Sequence, residues 1–389
     1  MKQIINKTIV RFICLCLTLG ILVTACHSKK DIKHDPNSYY ASVEKNGNHD
    51  VAIFDASKIR KKIRLPLSKF VNNCEMVFLE TTDASMLPEL TRYAVSDNYL
   101  CVAGSGRPAK LFKRDGSFIC DVGKIGRGPG EYSFEPSQIK LDEENNSIFM
   151  IPAFNVDHIL HFDLAGNFVG AIPLLYKSPK ARMLINADTI TIMSMVSDEK
   201  TPIVYQQTFE GKLIQKLPVI RALIMRPNFD NEVFSSMSPD YDFYMTAFDT
   251  LFHYDPKQNT IEPKLVSQPI PHEMMLVLRE LPGYYFGRIH VQRNKCKYDR
   301  LDVMINKETL EVNLYEIIND YYGRIPVKSL FGCCEDMFIA STPAFELMND
   351  IKELLKENKL NAQDKRKLKK ILVQLHENDN DVVFIGKLK

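Results

Sequence analysis

One unit recurs along the chain: an apolar strand, a short polar turn and a second apolar strand. The clearest copies are KLFKRDGSFICDVG (110–123) and ILHFDLAGNFVGAIP (159–173), followed by VYQQTFEGKLIQKLP (204–218), LFHYDPKQNTIEPKLV (251–266) and LDVMINKETLEVNLYEI (301–317). With the turns placed at Asp115, Ala165, Glu210, Lys257 and Glu308, the steps are 50, 45, 47 and 51 residues, the spacing of propeller blades. Gly116, Gly166 and Gly211 sit where a hairpin that matches the right-handed twist of its strands needs positive φ. Ahead of the hairpins lie further strand pairs, YAVSDNYLCVAG (93–104), IKLDEENNSIFMIP (139–152) and MLINADTITIMSM (183–195). Two hairpins make a four-stranded sheet, and a sheet apolar on both faces must be covered by sheets like itself, which radial closure achieves. The expected fold class is all-β: a six-bladed β-propeller of four-stranded blades over residues 59–389.

Five copies are visible, so a sixth blade has to come from EMVFLETT (75–82), FGCCEDMFIAST (331–342) and DVVFIGKLK (381–389). Joining N- and C-terminal strands in one blade closes the ring without a free edge. Residues 343–376 lose the β pattern. Leu347, Ile351, Leu354 and Leu355, then Leu368, Ile371, Leu372 and Leu375, recur at helical spacing, which predicts a small helical insertion in that last blade. Asn361 is placed to cap its second helix, whose outer face carries Lys365, Arg366, Lys367, Lys369 and Lys370. Such a face is either solvated or a contact for anionic lipid or an acidic partner.

The start of the chain belongs to export rather than to the fold. Lys2, Lys7 and Arg11 precede an apolar run from Phe12 to Ala25, the layout of a signal peptide over 1–25. That run is shorter than the roughly 20 residues a membrane-crossing helix needs. Val23, Thr24, Ala25 and Cys26 resemble the lipobox of bacterial lipoproteins, so Cys26 is expected to become an acylated N-terminus that holds the protein on a membrane, with the outer membrane the expected one. Polar residues over 26–58 read as a flexible tether. Lys plus Arg is 50 and Asp plus Glu 48, a balance without the basic excess of a nucleic-acid surface. Beyond Cys14, Cys16 and Cys26 stand Cys74, Cys101, Cys120, Cys296, Cys333 and Cys334, an even number that permits disulfides outside the cytoplasm.

IGRGPGEY (125–132), LETTD (79–83) and the closing FIGKLK (384–389) resemble the six-bladed β-propeller lipoproteins of gut bacteria. The resemblance spans nearly the whole mature chain and implies architecture rather than activity, because fold does not define function.

Within that loop, Arg127, Gly128, Glu131 and Tyr132 are the candidate ligand-binding residues. Glycines leave backbone amides accessible beside a guanidinium, a nest for a carboxylate or phosphate. The alternative is structural: glycine for a close crossing, Arg127 paired with Glu131, and Tyr132 packed between blades. His158, His161, His253, His272 and His290 fall at blade intervals, and Asp97, Asp142 and Asp240 fall in turns, without diagnostic spacing. Tyr284, Tyr285 and Phe286 with Tyr321 and Tyr322 offer an aromatic platform or simply core. No HExxH, GxSxG, phosphate loop or dinucleotide fingerprint occurs, and no cofactor is expected. The leading expectation is a membrane-held binding module for a small molecule, glycan, peptide or envelope protein. The alternatives are a metal-assisted hydrolase or lyase with ligands from several blades at the channel mouth, and a stoichiometric subunit of an outer-membrane uptake or sensory system.

Overall fold

The computed structural model describes residues 35–389 apart from 48, 89–91, 155–156, 178, 225–232, 236–240, 246–247, 269–272, 295–296, 329–331, 335 and 357–359. The expected signal peptide and Cys26 lie outside the described residues. Five strands open the described chain: β1 (Tyr39–Tyr40), β2 (Ser42–Asn46), β3 (His49–Phe54), β4 (Lys62–Pro66) and β5 (Glu75–Phe78). Antiparallel four-stranded meanders then follow one another at 92–122, 136–173, 182–216, 233–267 and 273–319. These five are the sheets built from consecutive chain. One more sheet is composite, running Gly332–Cys334, Met337–Thr342, Val382–Lys387 and β5, with Val383 opposite Val77. The whole is an all-β, propeller-like arrangement with few helices.

Burial explains the arrangement. The strand Ser147–Pro152 reads SIFMIP and buries five of its six residues, so along this strand both faces of the sheet are covered. Among the described residues the buried apolar side chains fall into six clusters, each shared between sheets that are neighbours in the ring. Leu111 and Val122 of the first meander pack on Ile148 and Phe162 of the second. Val77, Val383 and Ile385 of the composite sheet pack on Leu100, Val102 and Phe112, which returns to the first meander. Each fully buried side chain of this size contributes about 1.5–3 kcal/mol, so every inter-sheet layer matters to stability. Near the ring's centre the opening strands of neighbouring meanders touch, Arg92–Val95 against Pro136–Asp142 and that strand against Arg182–Asn186. There the Gln138 amide holds the Met183 backbone twice, donating from Nε2 to its carbonyl at 3.0 Å and accepting its N–H at 2.7 Å.

The recurring turn serves two purposes. In the first three meanders it has the same hydrogen bonds: Lys113 N–H to Ser117 O with Gly116 N–H to Lys113 O, and the equivalent pairs at Asp163 and Thr208. Gly116 and Gly166 have φ of 92° and 79°. A Cβ on Gly116 would lie 2.0 Å from the Phe78 carbonyl oxygen of β5, and one on Gly166 would lie 2.2 Å from the Asp121 carbonyl oxygen of the first meander. The glycine is thus both the turn former and the surface on which the preceding sheet rests.

The flexible tether expected over 26–58 is corrected from Tyr39 onward, where the chain is paired rather than free. β3 adds in parallel to the edge strand Thr260–Ser267 of the fourth meander, with Ala52 opposite Leu265. β4 adds in parallel to Glu311–Asn319 of the fifth, with Leu65 opposite Ile317. Asp55 caps the short 3-10 turn Ala56–Lys58 between them, accepting from Ser57 N at 3.0 Å. Exposed, polar β2 hid this order in the sequence, while β3 buries Val51, Ala52 and Phe54. Two helices, α1 (Ala344–Lys356) and α2 (Ala362–Gln374), lie between the second and third strands of the composite sheet. They bury Leu347, Ile351, Leu368 and Ile371, and the Asn361 side chain accepts from Asp364 N at 2.8 Å to cap α2. Among the described residues no helix is long and apolar enough to cross a membrane.

Gly166→Ala is expected to cost roughly 2–4 kcal/mol, from left-handed backbone strain plus overpacking. Gly283→Ala, with φ of 73° but nothing within 4 Å of the new Cβ, is expected to cost only about 1–2 kcal/mol from the backbone. Urea unfolding of the two variants checks the difference; equal costs would mean that the inter-sheet contact at the turn carries no load.

Candidate functional site

The loop 123–132 closes on itself. Lys124–Ile125 pairs in parallel with Glu131–Tyr132, and the Glu131 carboxylate accepts from Gly128 N at 2.8 Å, while Glu131 N donates to Gly128 O at 3.0 Å. A Cβ on Gly126 would stand 2.0 Å from the Glu131 carboxylate oxygen, so a side chain there would push Glu131 off Gly128 N. Tyr132 is buried between the first two meanders, donating to Val122 O at 2.9 Å and accepting Ala109 N–H at 2.6 Å. Of the expected ligand-binding set, Gly128 and Glu131 therefore satisfy each other and Tyr132 is a packing residue. The expected Arg127–Glu131 pair does not form. Arg127 is exposed and has no hydrogen bond or ion pair among the described residues.

A second polar cluster lies between the fourth and fifth meanders. Asp242, fully buried, meets His253 Nδ1 at 2.7 Å and Lys264 Nζ at 3.1 Å. Lys264 also pairs with Glu280, which pairs in turn with Lys307, and the Lys307 ammonium stands 4.9 Å from the Tyr285 ring centre. Burial lifts Glu280 above the ordinary carboxylate range, reinforced by the hydrogen bond and charge of Asp242. For Asp242 burial acts upward too, but hydrogen bonds from His253 and Glu280 and the charge of Lys264 outweigh it and hold the group low. His253 is raised by its hydrogen bond to Asp242 against the opposing effect of burial. The cluster bolts two sheets together with charges that compensate one another. Its sequence signal was a charge inside an apolar strand, as in DFYM and LVLREL, but nothing local announced that the charges meet.

Two cavities formed by the described residues flank the sheets. One, of about 470 Å³, lies where turns of the first, second and composite sheets converge, with Asp97, Glu143, Glu144 and Asp336 beside Lys387. Two of its four carboxylates are engaged: Glu143 accepts from Asn98 N at 3.1 Å, and Asp336 meets Lys387 at 3.4 Å. The other, of about 480 Å³, is a cleft between the fifth meander, β4, the hairpin strand Ile325–Val327 and the helical segment. Arg64, Arg300, Arg324 and Lys328 line it above an apolar floor that includes Ile317, Val327, Leu354 and Leu360. Parallel addition of β4 delivers Arg64, and the insertion after Thr342 delivers Leu354 and Leu360.

The other sequence candidates are dispersed. His161 stacks on Phe149 with ring centres 4.7 Å apart and meets Ser147 at 2.8 Å, His158 meets Asp157 at 2.5 Å, and burial with Arg288 and Arg300 nearby pushes His290 down. His272, Asp240 and Cys296 lie outside the described residues, as do the side chains of Cys333 and Cys334. Cys74, Cys101 and Cys120 are free thiols, and burial raises Cys74 to about 12. Of the aromatic set, Phe286 is buried on Phe70 and Tyr315, while the half-buried Tyr321 and Tyr322 donate to the carbonyls of Val71 and Cys74. Among the described residues no three His, Cys, Asp or Glu side chains form a group suited to hold a metal.

The model of a family described as a domain of unknown function, DUF4934, matches residues 51–268, more than half of the chain. No curated protein matches the chain. Among solved structures it is similar to a protein described as exported from Bacteroides fragilis, at 15% identity and a TM-score of 0.57, covering 84% of this chain and 99% of that one. A member of the DUF4221 family from Bacteroides vulgatus matches at 9% identity and a TM-score of 0.43, over 82% and 97% of the two chains. The extracellular domain of a one-component system from B. thetaiotaomicron matches at 12% identity and 0.38, over 69% and 30%. At these identities the likeness concerns the fold alone.

Tyr132→Phe leaves a buried amide and carbonyl without their partner and is expected to cost about 1–3 kcal/mol. Asp242→Ala strands the cations of a buried cluster and is expected to cost about 3–5 kcal/mol. Urea midpoints check both. The same cluster sets a pH dependence. His253 is held above its usual 6.5, so its stabilisation is complete below that value and is lost as pH rises through the raised one. Glu280, lifted from 4.5, acts in the same direction, whereas the contribution of Asp242 fails only in acid. The urea midpoint should fall as pH rises above about 6.5, and His253→Gln should flatten that slope; an unchanged slope would remove His253 from the account.

Proposed function

The chain belongs to the DUF4934 family, a domain of unknown function, and from that premise we propose that it is a binding module of the bacterial envelope whose ligand site is the cleft beside the fifth meander. The observation that carries this reading is a concavity of about 480 Å³ with an apolar floor and a few converging cations, the size and make-up of a small-molecule site. In this reading the composite sheet is counted with the five meanders as a sixth blade. The helices between its strands are an insertion whose task is to wall the cleft, and the reading is supported by Leu354 and Leu360 standing there. Export and attachment through acylated Cys26, with the outer membrane as the site, belong to the same proposal and rest on the signal-like run and on Val23 to Cys26. The ring serves as a rigid frame, and the ligand is a small molecule or the end of a peptide or glycan.

A metal-assisted hydrolase or lyase would need three or more ligating side chains converging at the channel mouth. The described residues offer no such group, so no observation favours that reading over binding.

Ligand-observed NMR with a fragment library tests the proposal on the full mature chain and on Leu354→Trp, a residue on the floor of the cleft. The expected result is a set of binders to the parent that the filled variant loses. Binders shared equally by both proteins would place recognition elsewhere, and their absence from the parent would end the proposal.

A further inference from the structure

We propose that the cleft takes an amphiphilic anion: one oxyanion, a carboxylate or its sulfate or phosphate equivalent, joined to an apolar body. This deepens the preceding reading and rests on the cleft being the binding site. The head-group argument comes from how the local carboxylates are shared. Asp302, at the rim, serves two guanidiniums, Arg288 Nε at 2.7 Å and Arg300 Nε at 3.3 Å. Glu316 likewise serves two cations, Lys62 at 2.6 Å and Arg64 at 3.1 Å. One carboxylate cannot neutralise two cations, so each group leaves a positive remainder at the cleft wall. Arg324 adds a third: it is exposed, and its side chain has no hydrogen bond or ion pair among the described residues. Lys328 differs, being met by both Asp350 at 2.8 Å and Glu346 at 3.7 Å on α1; that group leaves a negative remainder, which the three positive ones outweigh.

Guanidiniums whose donors are only partly used favour a ligand with two coplanar acceptor oxygens. Three of them on separate elements, β4, the strand Lys297–Asn306 and the turn before Ile325, surround one opening. Beneath lie Ile317, Val327, Leu354 and Leu360, which give a bare inorganic anion nothing to contact. Such a floor rewards a chain or ring attached to the charged head, because removing apolar surface from water stabilises the complex in proportion to the area buried. A neutral amphiphile would leave the guanidiniums without new partners, and a cationic one would meet like charge.

Calorimetric titration of the full mature chain carrying Cys26→Ser, so that no attached acyl chain competes, tests the assignment with four probes: decanoate, decyl glucoside, decyl trimethylammonium and acetate. The expected result is saturable one-to-one binding of decanoate that weakens as salt rises. Arg324→Gln and Arg300→Gln should each weaken it at least tenfold, Leu354→Trp should abolish it, and acetate and the cationic amphiphile should not bind. Decyl glucoside binding as tightly as decanoate, unaffected by the arginine variants but lost in Leu354→Trp, would overturn the anionic assignment while leaving the cleft as the site. Acetate binding as tightly as decanoate would overturn the amphiphilic part. Decanoate binding equally to parent and Leu354→Trp would remove the ligand from the cleft and so refute this inference together with the reading beneath it.

Discussion

Val77 opposite Val383 marks the contact on which the rest of the molecule depends. Each meander is apolar on both faces, so a linear row of them would leave one greasy face bare at each end. The composite sheet removes both faces at once, packing through Val77 and Ile385 on the first meander and through Phe338 and Phe384 on the fifth. β5 and the strand Val382–Lys387 supply it together, which makes closure a long-range event: residues some three hundred positions apart must pair before the last two apolar layers exist. Loop closure of that length costs little extra per doubling, whereas two missing layers would cost many buried side chains.

Once the ring is closed, its edges become the next problem, and the N-terminal segment answers it for part of the circumference. β3 and β4 lie in parallel along the edge strands of the fourth and fifth meanders, covering backbone groups that would otherwise be open to pairing with another chain. The same segment brings Arg64 to the cleft, and the helices between the strands of the composite sheet bring Leu354 and Leu360. The candidate site thus forms where these additions meet the fifth meander, which itself supplies Arg300, Asp302, Glu316 and Ile317.

Much of the fold was legible in the sequence because its signals are local. Asp115-Gly116 and the Gly166 turn announce hairpins through residues that tolerate positive φ, and strands such as Ser147–Pro152 announce two-sided burial by being apolar throughout. The edge-covering role of β3 and β4 was not legible, because β4 and the β2 that backs β3 face water and read like a polar linker; β2 and β4 keep their residues at least partly exposed. The site was the least legible. Arg64, Arg300, Arg324 and Lys328 are unremarkable charged residues in sequence, and only the three-dimensional sharing of Asp302 and Glu316 shows which cations remain unsatisfied. The string GRGPGEY drew attention for its rarity, yet its glycines are fixed by the close approach of the Glu131 carboxylate and by the crossing between the first two meanders.

Hydrogen exchange read by mass spectrometry tests ring closure most directly, because it reports on β5 and on the last strand in the unaltered protein. If the ends complete the ring, the amides of Glu75–Phe78 and Val382–Lys387 exchange only with the global unfolding that exposes the meander cores, and they lose protection together across a urea series. Exchange of β5 at the rate of a surface loop, while the five meanders stay protected, would contradict the account.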